Sequence, residues 1–290
     1  MKTVVVAPLR KLGIILDMIK FEHTIFALPF ALSSAIVAAN GIPRVRIIVW
    51  ILVAMVGARS AAMAFNRIAD AKIDAMNPRT ASRAIPHGSV SVGAAWAFVG
   101  VSAAALVLAA YMLNPLAFAL SPVALAAVLV YSYTKRFTSL SHLCLGLCLG
   151  IAPVGAWIAV RGSIGFGSMV LSAGVIFWTA GFDIIYSLQD IDFDKKMGLF
   201  SLPSRIGAGR ALLVSRLLHA GMIAMLIWFG ILTGRGAIYD IGVGMVALFL
   251  IYEQSLVSPR DISRVNAAFF TMNGCVSFAM LVFVMMDVLL

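Results

Sequence analysis

The chain has 290 residues, 62% hydrophobic and only 12% charged, with a formal net charge of +10 and a mean hydropathy of +1.03. An ordinary soluble domain is about half apolar and about a quarter charged, so this composition excludes one and assigns the chain to a lipid bilayer. The basic excess then reads as a topology signal and not as a nucleic-acid footprint.

Met1 to Lys20 is basic, and the first apolar run starts too late and continues too long for a cleavable signal peptide. Apolar runs long enough for a spanning helix of about 20 residues follow at 23–40, 46–66, 91–112, 115–133, 139–160, 165–186, 211–232, 236–253 and 267–290. Some are parted only by a turn such as Asn114-Pro115 or Arg161-Gly162. The expected architecture is all-α: a single polytopic membrane domain over 1–290 with nine transmembrane helices.

With the N-terminus in the cytoplasm, one side collects Lys2, Arg10, Lys11, Lys20, Arg67, Lys72, Arg79, Arg83, Lys135, Arg136, Lys195, Lys196, Arg205, Arg210, Arg216, Arg260 and Arg264. The other side keeps only Arg44, Arg46, Arg161 and Arg235, with Arg59 left inside the second span. That bias sets the orientation.

The acidic residues carry the chemistry, because an Asp near the bilayer centre costs roughly 2.5 to 3.5 kcal/mol and seldom sits at membrane depth without a role. Asp70 and Asp74 follow the second span, and Asp183, Asp190, Asp192 and Asp194 close the sixth. Four crossings separate the windows, so both emerge on the cytoplasmic face, and the offset hints at a duplicated four-helix unit.

In Asn66-Arg-Ile-Ala-Asp70-Ala-Lys-Ile-Asp74 the oxygen-bearing side chains fall at i, i+4 and i+8, which a continued helix presents on one face. In Asp183-Ile-Ile-Tyr186-Ser-Leu-Gln-Asp190-Ile-Asp192-Phe-Asp194 the offsets of 7 and 11 also share a face, with Tyr186 beside it and Asp192 turned away. Stacked carboxylates repel unless a cation lies between them. Mg²⁺ suits the pattern, since it takes hard oxygen ligands, uses one or two carboxylates per ion and leaves room for phosphate. Two facing ladders, Asn66-Asp70-Asp74 and Asp183-Asp190-Asp194, therefore describe a diphosphate clamp.

Arg79-Thr-Ala-Ser-Arg83 and Tyr131-Ser-Tyr133-Thr-Lys135-Arg136 place guanidinium forks and an ammonium on the same face, suited to diphosphate oxygens. Lys195, Lys196, Arg205 and Arg210 read as membrane anchors. Arg59, seven residues before Asn66 in an apolar helix, faces the bundle interior and is placed to pair with an acceptor's carboxylate. His23, His87, His142 and His219 show no ligand spacing and read as satisfied polar residues. Phe21, Phe26, Phe30, Phe65, Trp157, Phe177, Phe182 and Phe193 are candidates to line a channel and stabilise a cation through their π faces. Cys144, Cys148 and Cys275 lie in apolar stretches and read as buried small residues.

These stretches resemble the UbiA family of intramembrane prenyltransferases, in its 4-hydroxybenzoate polyprenyltransferase-like branch. Asn66-x3-Asp70-x3-Asp74 with Arg79-Thr80-Ala81-Ser82-Arg83-x2-Pro86-x-Gly88 is similar to the family's first motif and basic tail. Tyr131 to Thr138 is similar to its Tyr-x-x-x-Lys-Arg turn, and Asp183-x2-Tyr186-x3-Asp190-x3-Asp194 to its second motif. The resemblance implies nine helices around a central cavity and Mg²⁺ bridging both motifs to a polyprenyl diphosphate. It also implies an allylic cation that alkylates a hydroxylated aromatic acid. It implies Asn66, Asp70, Asp74, Asp190 and Asp194 as ligands to Mg²⁺, the four Asp being the catalytic carboxylates, with Asn66, Asp183, Tyr131 and Tyr186 in the substrate site and Arg79, Arg83, Lys135 and Arg136 at the leaving group. The setting it implies is a bacterial plasma membrane and quinone biosynthesis.

Two departures stand out. Arg67 occupies a position where many members carry a second Asp, and the helical register turns it off the ladder face. Lys20-Phe-Glu22-His23-Thr24 replaces the Arg-x-Asp-x-Pro of typical 4-hydroxybenzoate enzymes, which leaves 4-hydroxybenzoate and 1,4-dihydroxy-6-naphthoate both open as acceptors. A cation-coupled transporter would instead hold its carboxylates at midplane on broken helices. A CDP-alcohol phosphotransferase would need Asp-Gly and Ala-Arg elements absent around the first ladder.

Overall fold

A computed structural model describes residues 26–290 and shows helices without strands among them. In chain order they are α1 (Ala27–Ala39), α2 (Val45–Ala69), α3 (Ala71–Met76), α4 (Val92–Leu113), α5 (Pro115–Thr134), α6 (Ser141–Arg161) and α7 (Phe166–Ser187). Then come α8 (Ile191–Met197), α9 (Leu202–Ile206), α10 (Ala208–Thr233), α11 (Ala237–Ser255) and α12 (Asn273–Leu289). A 3₁₀ turn, Leu188–Asp190, joins α7 to α8, and a π-helical segment, Ala267–Met272, leads into α12.

Among the described residues, 8 helices are long and apolar enough to cross a membrane, α7 to α8 counting as one span and the π segment with α12 as another. They coincide with all the expected runs but the first. α1 is apolar but has 13 residues, about 20 Å of helix against a hydrocarbon core of about 30 Å. The start of that run, with Lys20, Phe21, Glu22 and His23, lies outside the described residues.

Local sequence explains the helix ends. The Ser91 side chain accepts from the Ala94 N–H at the start of α4, and Asn114 accepts from the Ala117 N–H with Pro115 in the first turn of α5. Gly162 and Gly234 end α6 and α10 in the left-handed region, where a Cβ would be strained. Inside α5, Pro122 removes a backbone donor, and the Ser121 hydroxyl donates instead to the Phe118 carbonyl at 2.8 Å.

Helices α1, α7, α10, α11 and α12 enclose the larger core around Phe30, Leu171, Trp178, Met222, Phe229 and Tyr239. α2 packs on α4 and α5, and α6 on α1, α5 and α7. Small residues permit a close crossing of α6 and α7: a Cβ at Gly146 would lie 2.6 Å from the Ile176 carbonyl of α7. The gap left between these two groups of helices is a cavity of about 990 Å³.

Candidate active site

Every site residue expected from the sequence lines this cavity except Arg136. The polar residues gather where α2, α3, α7 and α8 end, and the remainder of the wall, including Leu106, Ala124, Val128, Ile151 and Val154, is apolar. A chamber with a charged mouth and an apolar body suits a ligand with a charged head and a hydrocarbon tail.

At the first motif the helix breaks at Asp70, whose φ of −93° and ψ of 2° separate α2 from α3. The ladder survives, since the Asp70 N–H still donates to the Asn66 carbonyl at 2.9 Å and the Asp74 N–H to the Asp70 carbonyl at 2.8 Å. The Asn66 amide donates to Asp70 at 3.2 Å. Asp70 and Asp74 are almost fully buried, which a carboxylate tolerates only when paired. Lys135 Nζ lies 2.7 Å from Asp70, and one Arg83 nitrogen lies 2.7 and 2.8 Å from the two oxygens of Asp74.

Arg67 departs from expectation. It is buried, lines the cavity and stands 3.9 Å from Asp74, because the wall curves round the helix far enough to take in the residue next to Asn66. Arg136 is placed behind the wall. It donates to the Ala69 carbonyl at 2.5 Å, lies 3.3 Å from Asp70 and stacks its guanidinium 4.9 Å from the Tyr133 ring centre.

The second motif crosses the 3₁₀ turn, so Asp183 sits on α7, Asp190 at the turn and Asp194 on α8. Arg79 spans the motifs, with Nε 3.0 Å and a terminal nitrogen 2.5 Å from the Asp190 oxygens, and donates to the Tyr186 hydroxyl at 3.3 Å. Partial burial works against its charge, but Asp190 outweighs that and raises the guanidinium above its ordinary pKa. Asn77 had no sequence signal, yet its amide donates to Asp190 at 3.2 Å and its oxygen accepts from the Arg79 N–H at 3.0 Å.

Deeper in the cavity stand Arg59, Tyr131 and Asp183. Arg59 is seven residues inward of Asn66 and Asp183 seven inward of Asp190, about 10 Å along each helix. Arg59 Nε is buried with no hydrogen-bond partner among the described residues. Asp183 is held by His142, whose Nδ1 lies 2.7 Å from it. The Leu202 N–H donates to the other ring nitrogen at 3.2 Å, so Nδ1 carries the proton and donates to Asp183. His142 is thus a satisfied polar residue, as its lack of ligand spacing predicts, and its partner is a cavity carboxylate.

Of the aromatic candidates, Phe26, Phe182 and Phe193 line the cavity, whereas Phe30, Phe65, Trp157 and Phe177 pack elsewhere and Phe21 lies outside the described residues. Phe269 and Phe270 join the wall without having been anticipated. Cys144, Cys148 and Cys275 are half-buried thiols, and Cys148 faces the cavity.

The donor set fits a hard divalent cation. Asp70, Asp74, Asp190 and Asp194 supply carboxylate oxygens in the cavity wall, and the Asn66 amide, whose nitrogen donates to Asp70, adds a carbonyl oxygen. Among the described residues no three acidic, imidazole or thiolate groups converge as a closed metal cage. Mg²⁺ needs no such cage, because phosphate and water complete its shell.

The sequence matches the UbiA prenyltransferase family over residues 27–275. The chain belongs to that family. As a UbiA-family prenyltransferase it is an enzyme. It is 31% identical over 245 residues to a 4-hydroxybenzoate octaprenyltransferase of Shewanella woodyi, covering 83% of this chain and 84% of that one. It is 29% identical over 269 residues to the Shewanella sediminis protein of the same name, covering 91% and 93%. Among solved structures, a UbiA homologue from Aeropyrum pernix K1 superposes with a TM-score of 0.82 at 38% identity, over 92% of this chain and 98% of that one. A UbiA homologue from Archaeoglobus fulgidus bound to GPP and Mg²⁺ shares the fold, with a TM-score of 0.76 at 20% identity over 96% and 100%.

Proposed function

We propose that this UbiA-family enzyme transfers a polyprenyl group from a polyprenyl diphosphate to a hydroxylated aromatic acid, with Mg²⁺, and that residues 1–290 act as one domain. The observation that carries the reading is the pairing at the cavity mouth: Asp70, Asp74 and Asp190 are each paired with a Lys or Arg that also lines the cavity, above an apolar chamber. That arrangement supplies partners for both halves of a metal diphosphate, carboxylates for the cation and cations for the phosphates.

Asn66, Asp70, Asp74, Asp190 and Asp194 would hold Mg²⁺, which when bound neutralises charge on the departing diphosphate oxygens. Arg79, Arg83 and Lys135 bind those oxygens, and Arg136 steadies Asp70 from behind. As the C1–O bond breaks, its electron pair leaves with the diphosphate, and a ring carbon beside the acceptor's hydroxyl bonds C1 and loses a proton. Arg59 receives the acceptor's carboxylate, while Tyr131, Tyr186 and Asp183 line its binding place.

4-Hydroxybenzoate is the favoured acceptor, supported by the names of the Shewanella relatives, and with it a place in ubiquinone-type biosynthesis. The Glu22-His23 variant in the sequence favours 1,4-dihydroxy-6-naphthoate and menaquinone as the second reading. The basic-residue bias supports both motifs on the cytoplasmic face, and the Shewanella relatives support a bacterial plasma membrane. Carboxylates at helix ends among arginines argue against a transporter. The test is transfer of labelled prenyl groups by membranes containing the protein: Asp70→Ala and Asp190→Ala each lower it at least about a hundredfold, and unchanged transfer in both overturns the clamp.

A further inference from the structure

Behind the cavity wall lies a buried polar relay. Glu253 on α11, Asn273 at the start of α12 and Trp178 on α7 are all fully buried. The Asn273 amide nitrogen donates to the carbonyls of Phe269 at 2.9 Å and Ala268 at 3.3 Å, and to Glu253 at 3.3 Å. Its oxygen accepts from the Trp178 indole N–H at 2.5 Å. Such complete use of one side-chain amide in an apolar bundle marks a residue that fixes geometry.

What it fixes is the π-helical segment Ala267–Met272, since Ala268 and Phe269 belong to that wide turn. A π turn adds one residue to an α-helix and is seldom kept without a local use. In α-helical register the flanking side chains would be rotated by about 100°. Here the π register sends Phe269 and Phe270 into the cavity wall. Phe269 lies 4.2 Å from Tyr186 and 5.3 Å from Phe182 between ring centres, and Phe270 lies 4.7 Å from Phe269. Tyr186 in turn accepts from Arg79, the residue that grips Asp190. An aromatic sheet thus reaches from the relay to the group that binds the departing diphosphate.

We propose that Asn273 is a positioning residue that holds the π turn so that Phe269 and Phe270 keep water from the reacting carbon. The proposal rests on the transferase reading above. Once the C1–O bond has broken, the allylic carbon has two fates. Bonding to the aromatic ring, with loss of a ring proton, gives the prenylated acid, whereas bonding to a water oxygen, with loss of a water proton, gives the free prenyl alcohol. A ring wall shields the cation and offers its π faces to it.

The test is the ratio of prenyl alcohol to prenylated acid formed by the full chain in lipid nanodiscs, given labelled polyprenyl diphosphate, Mg²⁺, 4-hydroxybenzoate and 1,4-dihydroxy-6-naphthoate. Asn273→Ala is expected to raise that ratio about tenfold, a change that loss of folded protein alone does not produce. Should Asn273→Ala fail to fold, Phe269→Leu, which leaves the relay intact, is expected to raise the ratio in the same direction. Wild-type transfer with an unchanged ratio in folded Asn273→Ala, or in Phe269→Leu where that variant does not fold, overturns the positioning role alone. A wild-type protein that forms no prenylated acid contradicts the transferase reading and this proposal with it.

Discussion

Arg79 holds Asp190 with both prongs of its guanidinium, so the basic tail of the first motif neutralises a carboxylate of the second. Lys135 does the same for Asp70 and Arg83 for Asp74. The Arg79 and Lys135 pairs join elements distant in sequence, the Arg83 pair closes the first motif on itself, and together they hold the mouth in a charge-balanced state. A metal diphosphate offers each member a better partner, so binding is an exchange of ion pairs in which cation and anion depend on each other.

Titration calorimetry with Mg²⁺ should therefore show little binding to the protein alone and clear binding once an unreactive prenyl diphosphate analogue is present. Arg79→Ala should tighten metal binding in the absence of diphosphate and weaken the analogue by about tenfold or more, the worth of a charge-assisted fork. Arg79→Lys, which keeps the charge and loses the fork, should fall between.

Arg59 is the cavity cation without a carboxylate partner among the described residues. Steady-state kinetics of Arg59→Ala should show the KM for the aromatic acid raised about ten- to a hundredfold with the KM for the diphosphate little changed. A matching rise in both would place Arg59 at the diphosphate instead.

The donor and acceptor ends of His142 are both used, on Asp183 and on the Leu202 N–H. His142→Leu should cost about 1 to 3 kcal/mol of stability by stranding both groups, read as a lower Tm in detergent. His142→Gln, which offers a donor and an acceptor of its own, should recover part of that loss.

The close crossing of α6 and α7 gives a packing test away from the chemistry. Gly146→Val should destabilise by about 1 to 3 kcal/mol, because the α7 backbone cannot yield as a flexible side chain would. Gly100→Ala, where a Cβ meets open space, should stay within about 1 kcal/mol of wild type.

Both Asp ladders were legible in the sequence because helical spacing maps offsets of 4, 7 and 8 onto one face, and that mapping needs no tertiary information. The apolar runs were legible for the same reason. Asn77 and His142 were not, since their partners Asp190 and Asp183 lie far along the chain and no local spacing announces such pairs. Arg67 was turned off the ladder face by periodicity, yet a concave wall built by several helices admits a wider arc than one face. Phe269 and Phe270 were hidden by the π turn, which shifts the register that helical counting assumes.

The most direct measurement is mass spectrometry of the product when purified enzyme receives a polyprenyl diphosphate with 4-hydroxybenzoate and 1,4-dihydroxy-6-naphthoate in competition. The predicted result is an aromatic acid, preferentially 4-hydroxybenzoate, heavier by one prenyl group in place of one ring hydrogen, and absent after chelation of divalent metal. Recovery of both aromatic acids unmodified, with metal and diphosphate present, would contradict the account.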